Sequence, residues 1–255
     1  MSFDKIYYIN LESRPDRNEH MIQLINKLNL QNITERIDAI DGTKLPQSEI
    51  STYITKYGQK RIKDPKKHFG VDLTLGGVGC ALSHRKVWDN IVNNNYNTTL
   101  ILEDDIKIPT DFIYNYNKIS QYIPSDYDIV FLGYHPTTDE YLYRDKKHKL
   151  LRSKKVFGLY GYVVSLKGAQ KLLNLFPIDI QIDSVIGDYI DDLNAFFVEP
   201  NNQLINSTPS EYNTEFGTNI QIEPFEAFLN HYFNWTNLLI LLIIIILTMI
   251  VLSLK

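Results

Sequence analysis

The chain has 255 residues, and with 44% hydrophobic and 12% aromatic residues it can bury a sizeable core as one large α/β domain or two small ones. This composition excludes a disordered protein, and a formal net charge of -4 argues against nonspecific nucleic-acid binding, which requires a basic surface. The single cysteine, Cys80, excludes an internal disulfide and a multi-thiolate zinc site. We therefore expect a folded protein of a reducing compartment, without a nucleic-acid partner.

The first residues predict a strand, a polar turn and a helix. Lys5–Asn10 is rich in isoleucine and tyrosine, and Ser13 precedes a helical pattern that it is placed to cap. Such a start is typical of an α/β sheet whose ligands bind at the carboxyl ends of its strands. Asn10, Arg14 and Arg17 would lie at that edge, where arginine can pair with phosphate; the alternative is that both arginines are only solvated.

Hydrophobic periodicity and turn residues define the remaining elements. In the first half we expect a strand at 33–40, a weakly amphipathic helix at 45–57, a basic surface loop at 60–68 and a helix that runs from the glycine-rich segment 75–84 to residue 92. In the second half we expect a helix at 111–122, a buried strand at 127–134, a basic hairpin or loop at 144–155, a strand at 156–165, a helix at 167–175 and a short strand at 195–198.

The glycine-rich segment 75–84 has two interpretations. Glycines allow close approach of the backbone, and the start of a helix offers amide groups to an anion, so the amides of residues 76–79 are candidate phosphate contacts. The spacing matches neither the dinucleotide-binding fingerprint nor the P-loop. His84 lies on a largely apolar face of the predicted helix, where the simpler interpretation is a structural histidine.

The most informative stretch is a short apolar run that ends in three consecutive carboxylates. Residues 98–102 form a predicted buried strand, and Glu103, Asp104 and Asp105 follow it directly. Three adjacent acids repel one another, and a divalent cation such as Mg2+ or Mn2+, which takes oxygen ligands, is the simplest compensation. Because side chains alternate along an extended segment, Glu103 and Asp105 would share a side and Asp104 would face the other. The alternative is a solvated turn without a ligand.

Two further aspartates are candidates for proton transfer. Asp183 precedes a helical pattern, so it is either the N-cap of that helix or a functional carboxylate, acting as a general base or an additional metal ligand. Asp188 is the second candidate for the general base.

The last residues predict a membrane anchor. Residues 238–254 carry no charged side chain, and an uncharged apolar segment of this length is near the shortest that spans a bilayer core. The first ten residues show no secretory signal, so we expect a single-pass C-terminal anchor with the folded domain facing the cytosol and its sequons unglycosylated. The expected organisation is a catalytic domain at 1–200, a polar surface segment and juxtamembrane linker at 201–237 and the anchor at 238–254.

The ordered set of motifs resembles glycosyltransferase family 25, which includes lipooligosaccharide and procollagen galactosyltransferases. The blocks that carry the resemblance are Ile9, Asn10, Leu11 and Glu12 with Arg14 and Arg17; Gly76 to His84 with Trp88; Leu102 to Asp105; and Gly161 to Ala169 with Ile182 and Asp183. They occur in the expected order and extend over about residues 4 to 200.

The resemblance implies a fold, an activity and a set of site residues. The fold would be α/β of the GT-A type, a Rossmann-like mixed sheet flanked by helices. The activity would be metal-dependent and usually inverting transfer of a hexose, galactose or glucose, from a nucleotide-diphosphate sugar such as a UDP-sugar to a glycan, lipid or protein acceptor. By resemblance, Glu103 and Asp105 bind Mn2+ or Mg2+. Inversion also requires a carboxylate base opposite the leaving group, for which Asp183 is the first candidate and Asp188 the second. The donor contacts would be Asn10, Arg14, Arg17, Gly79, Ser83, His84 and Asp104.

Two other functions fit the same residues. A membrane-tethered, non-catalytic relative would bind a glycan or nucleotide sugar without turning it over. A metal-dependent phosphodiesterase would release a nucleoside monophosphate rather than a diphosphate.

Overall fold

The computed structural model describes residues 2–64, 71–135, 142–145 and 150–207. Its strands in chain order are β1 (Lys5–Asn10), β2 (Thr34–Asp38), β3 (Thr98–Glu103), β4 (Ile106–Lys107), β5 (Ile129–Gly133), β6 (Leu142–Arg144), β7 (Leu151–Ser153), β8 (Gly161–Ser165), β9 (Ala195–Phe197) and β10 (Asn206–Ser207). Its α-helices are α1 (Pro15–Lys27), α2 (Gln47–Tyr53), α3 (Lys56–Lys63), α4 (Leu75–Asn94), α5 (Phe112–Ser120), α6 (Leu166–Leu173) and α7 (Ile182–Asp188). Short 3₁₀ turns occupy Gln31–Ile33, Gly42–Lys44, Ile190–Asp192 and Pro200–Asn202.

A large mixed sheet organises the fold. Its strand order is β2-β1-β3-β8-β5-β9-β7-β6, and β4 pairs separately with β10. β1 pairs in parallel with β2 and β3, and β5 pairs in parallel with β9. β8 runs antiparallel between β3 and β5, so those two strands point the same way. The carboxyl ends of β2, β1, β3, β5 and β9 therefore meet at one edge of the sheet, which is where ligands bind in α/β folds.

The centre of the sheet is covered on both faces. Every residue of β5 is buried, and β3 is buried from Thr98 to Leu102, as the uninterrupted apolar runs predicted. Helix α4 contacts β1, β2, α6 and α7, and its Trp88 is 0% exposed. This confirms the expected α/β class with a mixed sheet flanked by helices.

The helix expected at 45–57 is wrong, because the chain forms two helices there. The Thr55 hydroxyl accepts a hydrogen bond from Gly58 N at 3.1 Å and caps α3. The preceding residue, Ile54, forms a β-bridge with Ile178, which requires extended backbone. A local cap and a distant bridge thus override the continuous helical pattern. Helix α3 also takes in the first residues of the basic segment at 60–68, which was expected to be a loop.

Other boundaries differ by less. Arg14 is the N-cap of α1 without a side-chain cap, so Ser13 does not cap it, whereas Pro15 begins the helix as its fixed φ favours. Only Gly161–Ser165 of the strand expected at 156–165 is a strand. The basic segment at 144–155 begins at the last residue of β6 and contains β7, and these two strands pair antiparallel, as the hairpin alternative predicts.

Helix α4 approaches the segment after β2 almost backbone to backbone. A Cβ on Gly79 would lie 2.3 Å from Ile40 O and 2.7 Å from Gly42 N. The Ser83 hydroxyl accepts a hydrogen bond from Ile40 N at 2.8 Å and donates one to Gly79 O at 2.6 Å. Gly79 and Ser83 therefore hold the turn after β2 against the first turns of α4.

Gly79→Ala should destabilise the chain although alanine favours helices. The added Cβ would overlap backbone atoms that cannot rotate away, and overpacking of this kind costs about 1–3 kcal/mol, or roughly 2–4 °C in Tm per kcal/mol at this size. Gly76→Ala, at a partly exposed position in the same turn, should be neutral or stabilising because of helix propensity. Thermal denaturation of the two variants measures the difference, and equal Tm values would contradict this packing role.

The segment that follows β9, residues 198–205, contacts β5. Val198 N donates to Phe131 O at 3.1 Å and Leu204 N donates to Leu132 O at 2.9 Å, so the segment follows β5. Ile205 packs against Gly133 and Gly161, whose missing side chains leave room for it. β10 then pairs with β4, directly after the three acids.

The predicted anchor at 238–254 lies outside the described residues. Within the described ranges, no helix combines the length and apolar character that crossing a bilayer requires.

Candidate active site

The carboxyl edge of the sheet brings several predicted site residues together. Asn10 ends β1, Glu103 ends β3, and Asp104 and Asp105 form the turn that follows. Arg17 reaches them from the first turns of α1. Because β1 and β3 are parallel neighbours, the two strand ends deliver these side chains to one place.

Asp104 is held by two of the predicted donor contacts. Asn10 Nδ2 donates to its Oδ2 at 2.6 Å and Arg17 Nη1 donates to its Oδ1 at 2.9 Å. Burial raises the pKa of Asp104, and Arg17 and Asn10 oppose that shift by binding the charged form. Asn10 is itself oriented by Arg36, whose Nε donates to Asn10 Oδ1 at 2.9 Å. Both carboxylate oxygens of Asp104 are thus bound by side chains of β1 and α1.

Asp105 and Glu103 carry charge that the protein compensates only in part. Burial first, and then repulsion from Glu103, raise the pKa of Asp105 to about 6, although Arg17 Nη1 lies 3.2 Å from its Oδ2. A carboxylate whose ionisation is disfavoured by a neighbouring carboxylate is a site for an added positive charge. Their oxygen donors are those that Mg2+ and Mn2+ prefer, so the residues fit such an ion.

Glu103 also contacts helix α4. His84 Nε2 lies 3.2 Å from Glu103 Oε1, and His84 Nδ1 lies 2.9 Å from the hydroxyl of Tyr162 in β8. Cys80, one turn before His84, brings its sulfur within 4.8 Å of ligand atoms of His84 and Glu103. His84 is therefore neither a solvated side chain nor a purely apolar core residue, since it links the core to the acidic motif.

Asp183 faces the same region from the first turn of α7. Gln181, not Asp183, is the N-cap of this helix, so the N-cap interpretation is wrong. Asp183 Oδ2 accepts from Gly158 N at 2.9 Å and its Oδ1 accepts from Ser184 N at 2.7 Å. Burial raises its pKa, repulsion from Glu103 adds to the rise, and His135 opposes it.

The other predicted residues make different contacts. Arg14 pairs with Asp16 through two hydrogen bonds of 2.9 and 2.7 Å, and its main-chain oxygen accepts a hydrogen bond from Asn10 Nδ2 at 3.1 Å. Gly79 and Ser83 support the turn after β2, and Gly77 N is already bound by the Thr74 hydroxyl at 2.9 Å, which leaves fewer amides for an anion. Asp188 ends α7 and is exposed.

Three residues near the site were not predicted. Arg36 orients Asn10 from β2. His135 follows β5, and its ring packs edge-on against Tyr160 with centroids 5.2 Å apart. Tyr160 precedes β8, and burial first, then repulsion from Glu103, raise its pKa. The position of Arg36 depends on the pairing of β2 with β1, and those of His135 and Tyr160 depend on the antiparallel insertion of β8 between β3 and β5. No local sequence pattern indicates either arrangement.

A cavity of about 480 Å3 opens beside this group, after the carboxyl ends of β1 and β2. The residues that line it follow β1 and β2 or belong to α2: Leu11, Glu12, Ser13, Ala39, Asp41, Lys44, Leu45, Pro46 and Glu49. The acidic motif does not line it but follows β3, the next strand along the same edge.

The fold and these carboxylates define an α/β protein with a candidate ligand site at the carboxyl edge of a mixed sheet. The sequence model of Glycosyltransferase family 25 (LPS biosynthesis protein) matches residues 3–186. The chain belongs to this family, which confirms the resemblance stated above.

Curated relatives agree with this assignment. "Procollagen galactosyltransferase 1" of Danio rerio is 32% identical over 186 residues, covering 70% of this chain and 30% of that protein. "Glycosyltransferase 25 family member" of Drosophila melanogaster is 31% identical over 182 residues, covering 70% and 29%. "Probable inactive glycosyltransferase 25 family member 3" of Bos taurus is 28% identical over 183 residues, covering 70% and 30%. The chain thus spans about a third of the length of these relatives.

One solved structure has a related title. "Crystal structure of a glycosyltransferase involved in the glycosylation of the major capsid of PBCV-1" is 10% identical, with a TM-score of 0.42, and covers 81% of this chain and 92% of that chain. This similarity is too low to support a fold assignment, which rests on the strand order described above.

Proposed function

We propose that this chain is a metal-dependent glycosyltransferase of the GT-A type. It would move a hexose from a nucleotide-diphosphate sugar to a hydroxyl group, with inversion at the sugar carbon. Membership of glycosyltransferase family 25 supports the reaction class. The observation that carries the metal dependence is the pair Glu103 and Asp105, partly buried and mutually repelling at the end of β3.

Glu103 and Asp105 would hold the divalent ion. When bound, that ion neutralises the negative charge that develops on the departing nucleoside diphosphate. Arg17 contributes a fixed positive charge at the same place, and through Asp104 and Asp105 it ties α1 to the acidic turn. Asn10 and Arg17 each bind one carboxylate oxygen of Asp104, so this side chain is held against β1 and α1 and would support the acidic turn. The cavity after β1 and β2 would take the nucleoside part of the donor.

Asp183 is the proposed general base. It is partly buried and held by two backbone amides, and its raised pKa makes it a stronger base than an exposed aspartate. In its ionised form it would accept the proton of the acceptor hydroxyl as the new glycosidic bond forms. Asp188, exposed at the end of the same helix, is the second candidate.

Relatives named as procollagen galactosyltransferases favour galactose as the sugar. A UDP-sugar is the proposed donor, and the acceptor would be a hydroxyl on a glycan, a lipid-linked sugar or a protein. The alternative is a non-catalytic protein that binds a nucleotide sugar or glycan. A family member named as probably inactive supports this alternative. The C-terminal membrane anchor and the cytosolic orientation of the domain stay predictions from the sequence.

A panel of nucleotide sugars tests the proposal on the full chain. We expect one donor, a UDP-hexose, to raise the Tm in the presence of Mn2+ and to be hydrolysed slowly to the nucleoside diphosphate, with chelation abolishing both effects. Binding without turnover in any acceptor screen would favour the non-catalytic alternative. Release of a nucleoside monophosphate would indicate a phosphodiesterase instead.

A further inference from the structure

Four side chains connect the hydrophobic core to the acidic motif through hydrogen bonds. Trp88 Nε1 donates to the Tyr162 hydroxyl at 2.9 Å, that hydroxyl lies 2.9 Å from His84 Nδ1, and His84 Nε2 lies 3.2 Å from Glu103 Oε1. Trp88 and Tyr162 are 0% exposed and His84 is 1% exposed. We call Trp88, Tyr162 and His84 the buried relay.

The direction of each hydrogen bond follows from its two ends. An indole nitrogen only donates, and an ionised carboxylate only accepts. The Tyr162 hydroxyl therefore accepts from Trp88 and donates to His84 Nδ1, which leaves the proton of the neutral imidazole on Nε2. His84 then donates to Glu103. Each of these buried polar atoms is satisfied in this arrangement, so the relay specifies one tautomer and one ring orientation.

The relay directs one donor at one oxygen of Glu103 without adding a formal charge. A glutamate has one more rotatable bond than an aspartate, so its carboxylate is harder to fix at a strand end. In the described part of the chain, the relay is the side-chain contact that Glu103 makes, whereas Asp105 is contacted by Arg17 from α1. The two carboxylates are thus oriented from different elements, with Oε2 of Glu103 left for another partner.

We propose that His84, oriented by Tyr162 and Trp88, is a positioning residue that sets Glu103 for cation binding. This inference rests on the proposed function. In this role His84 makes no contact with the donor. The role explains why the histidine that ends the glycine-rich segment is buried and contacts Glu103. Groups that hold a metal ligand from behind usually contribute 10–100-fold to metal affinity or activity.

Titration of the full chain with Mn2+, followed by the loss of the free-ion electron paramagnetic resonance signal, measures the effect without requiring turnover. We expect His84→Met, which keeps the volume but removes the donor, to weaken Mn2+ binding about 10–100-fold. His84→Gln places its amide nitrogen the same number of bonds from Cβ as Nε2, so it should restore most of the affinity. Tyr162→Phe should give an intermediate loss, because the His84 tautomer is then no longer fixed.

Val87→Ala is the matched control, because Val87 is 0% exposed on the same helix and lies outside the relay. It should lower the Tm without changing Mn2+ affinity. The inference is wrong if His84→Met lowers the Tm as Val87→Ala does and leaves Mn2+ affinity unchanged, if His84→Gln is no better than His84→Met, or if the wild-type chain binds no Mn2+ with or without UDP. Wild-type Mn2+ binding without turnover of any nucleotide sugar would refute the proposed function and leave this inference intact.

Discussion

Asp105→Asn should abolish Mn2+-stimulated donor hydrolysis and sugar transfer while leaving the Tm unchanged or slightly higher. A residue behind a metal ligand contributes 10–100-fold, so loss of a ligand itself should lower kcat/KM by at least about 100-fold. The fold should tolerate the change because ionised Asp105 destabilises the folded state at neutral pH. The pKa of Asp105 in the folded state is raised from 3.8 to about 6. Protonated Asp105 therefore stabilises the fold below pH 3.8, and this stabilisation is lost as the pH rises from 3.8 through about 6.

Asp126→Asn is the matched control for this variant. Asp126 is exposed at the opposite edge of the sheet, before β5, and the same chemical change there should alter neither activity nor Tm. Enzyme assays with a Mn2+ series and thermal denaturation separate the two effects. A fall in Tm that accounts for the lost activity of Asp105→Asn would make Asp105 a structural residue.

Asp183→Asn should remove sugar transfer and spare Mn2+ binding. A general base contributes about 10²–10⁴-fold, so we expect a loss of that size in kcat, with little change in the donor KM. The substitution also replaces one acceptor oxygen by an amide, so it loses a hydrogen bond to Gly158 N or Ser184 N and should lower the Tm modestly. Transfer assays and Mn2+ titrations of the same preparation test both parts.

The pH profile provides an independent test of this base. Asp183 must be ionised to accept a proton, so transfer should fall as the pH decreases through its pKa. Because burial raises that pKa above the ordinary 3.8, the fall should begin at higher pH than for an exposed aspartate. Asp191→Asn, exposed after α7, serves as the control. If Asp188→Asn loses transfer and Asp183→Asn retains it, the role belongs to Asp188.

Buried strands of the central sheet were predictable because burial on both faces leaves a continuous apolar run. β3 was expected at 98–102 and occupies Thr98–Glu103, and β9 was expected at 195–198 and occupies Ala195–Phe197. The two-residue strands β4 and β10 carry no such pattern, because they form only when distant segments meet. The break between α2 and α3 was missed for a similar reason, since a bridge to Ile178 decides it.

The candidate site was predictable where it depends on the ends of parallel neighbours. Asn10, Arg17 and the three acids meet because β1 and β3 are adjacent, a placement typical of an α/β start. Arg36 and His135 were not found, because strand order decides their positions. The glycine-rich segment was misleading in another way: Gly79 and Ser83 support a neighbouring turn, while His84 faces the acidic motif.

The position of β9 bears on where this domain can be shortened. The family match ends at residue 186, yet β9 lies inside the sheet between β5 and β7, and Phe196 and Phe197 are almost wholly buried. A fragment trimmed at the family boundary would leave the apolar side of β5 as an open sheet border, ready to pair with other chains. Expression fragments should therefore retain everything through Ser207, where β10 fastens the acidic turn.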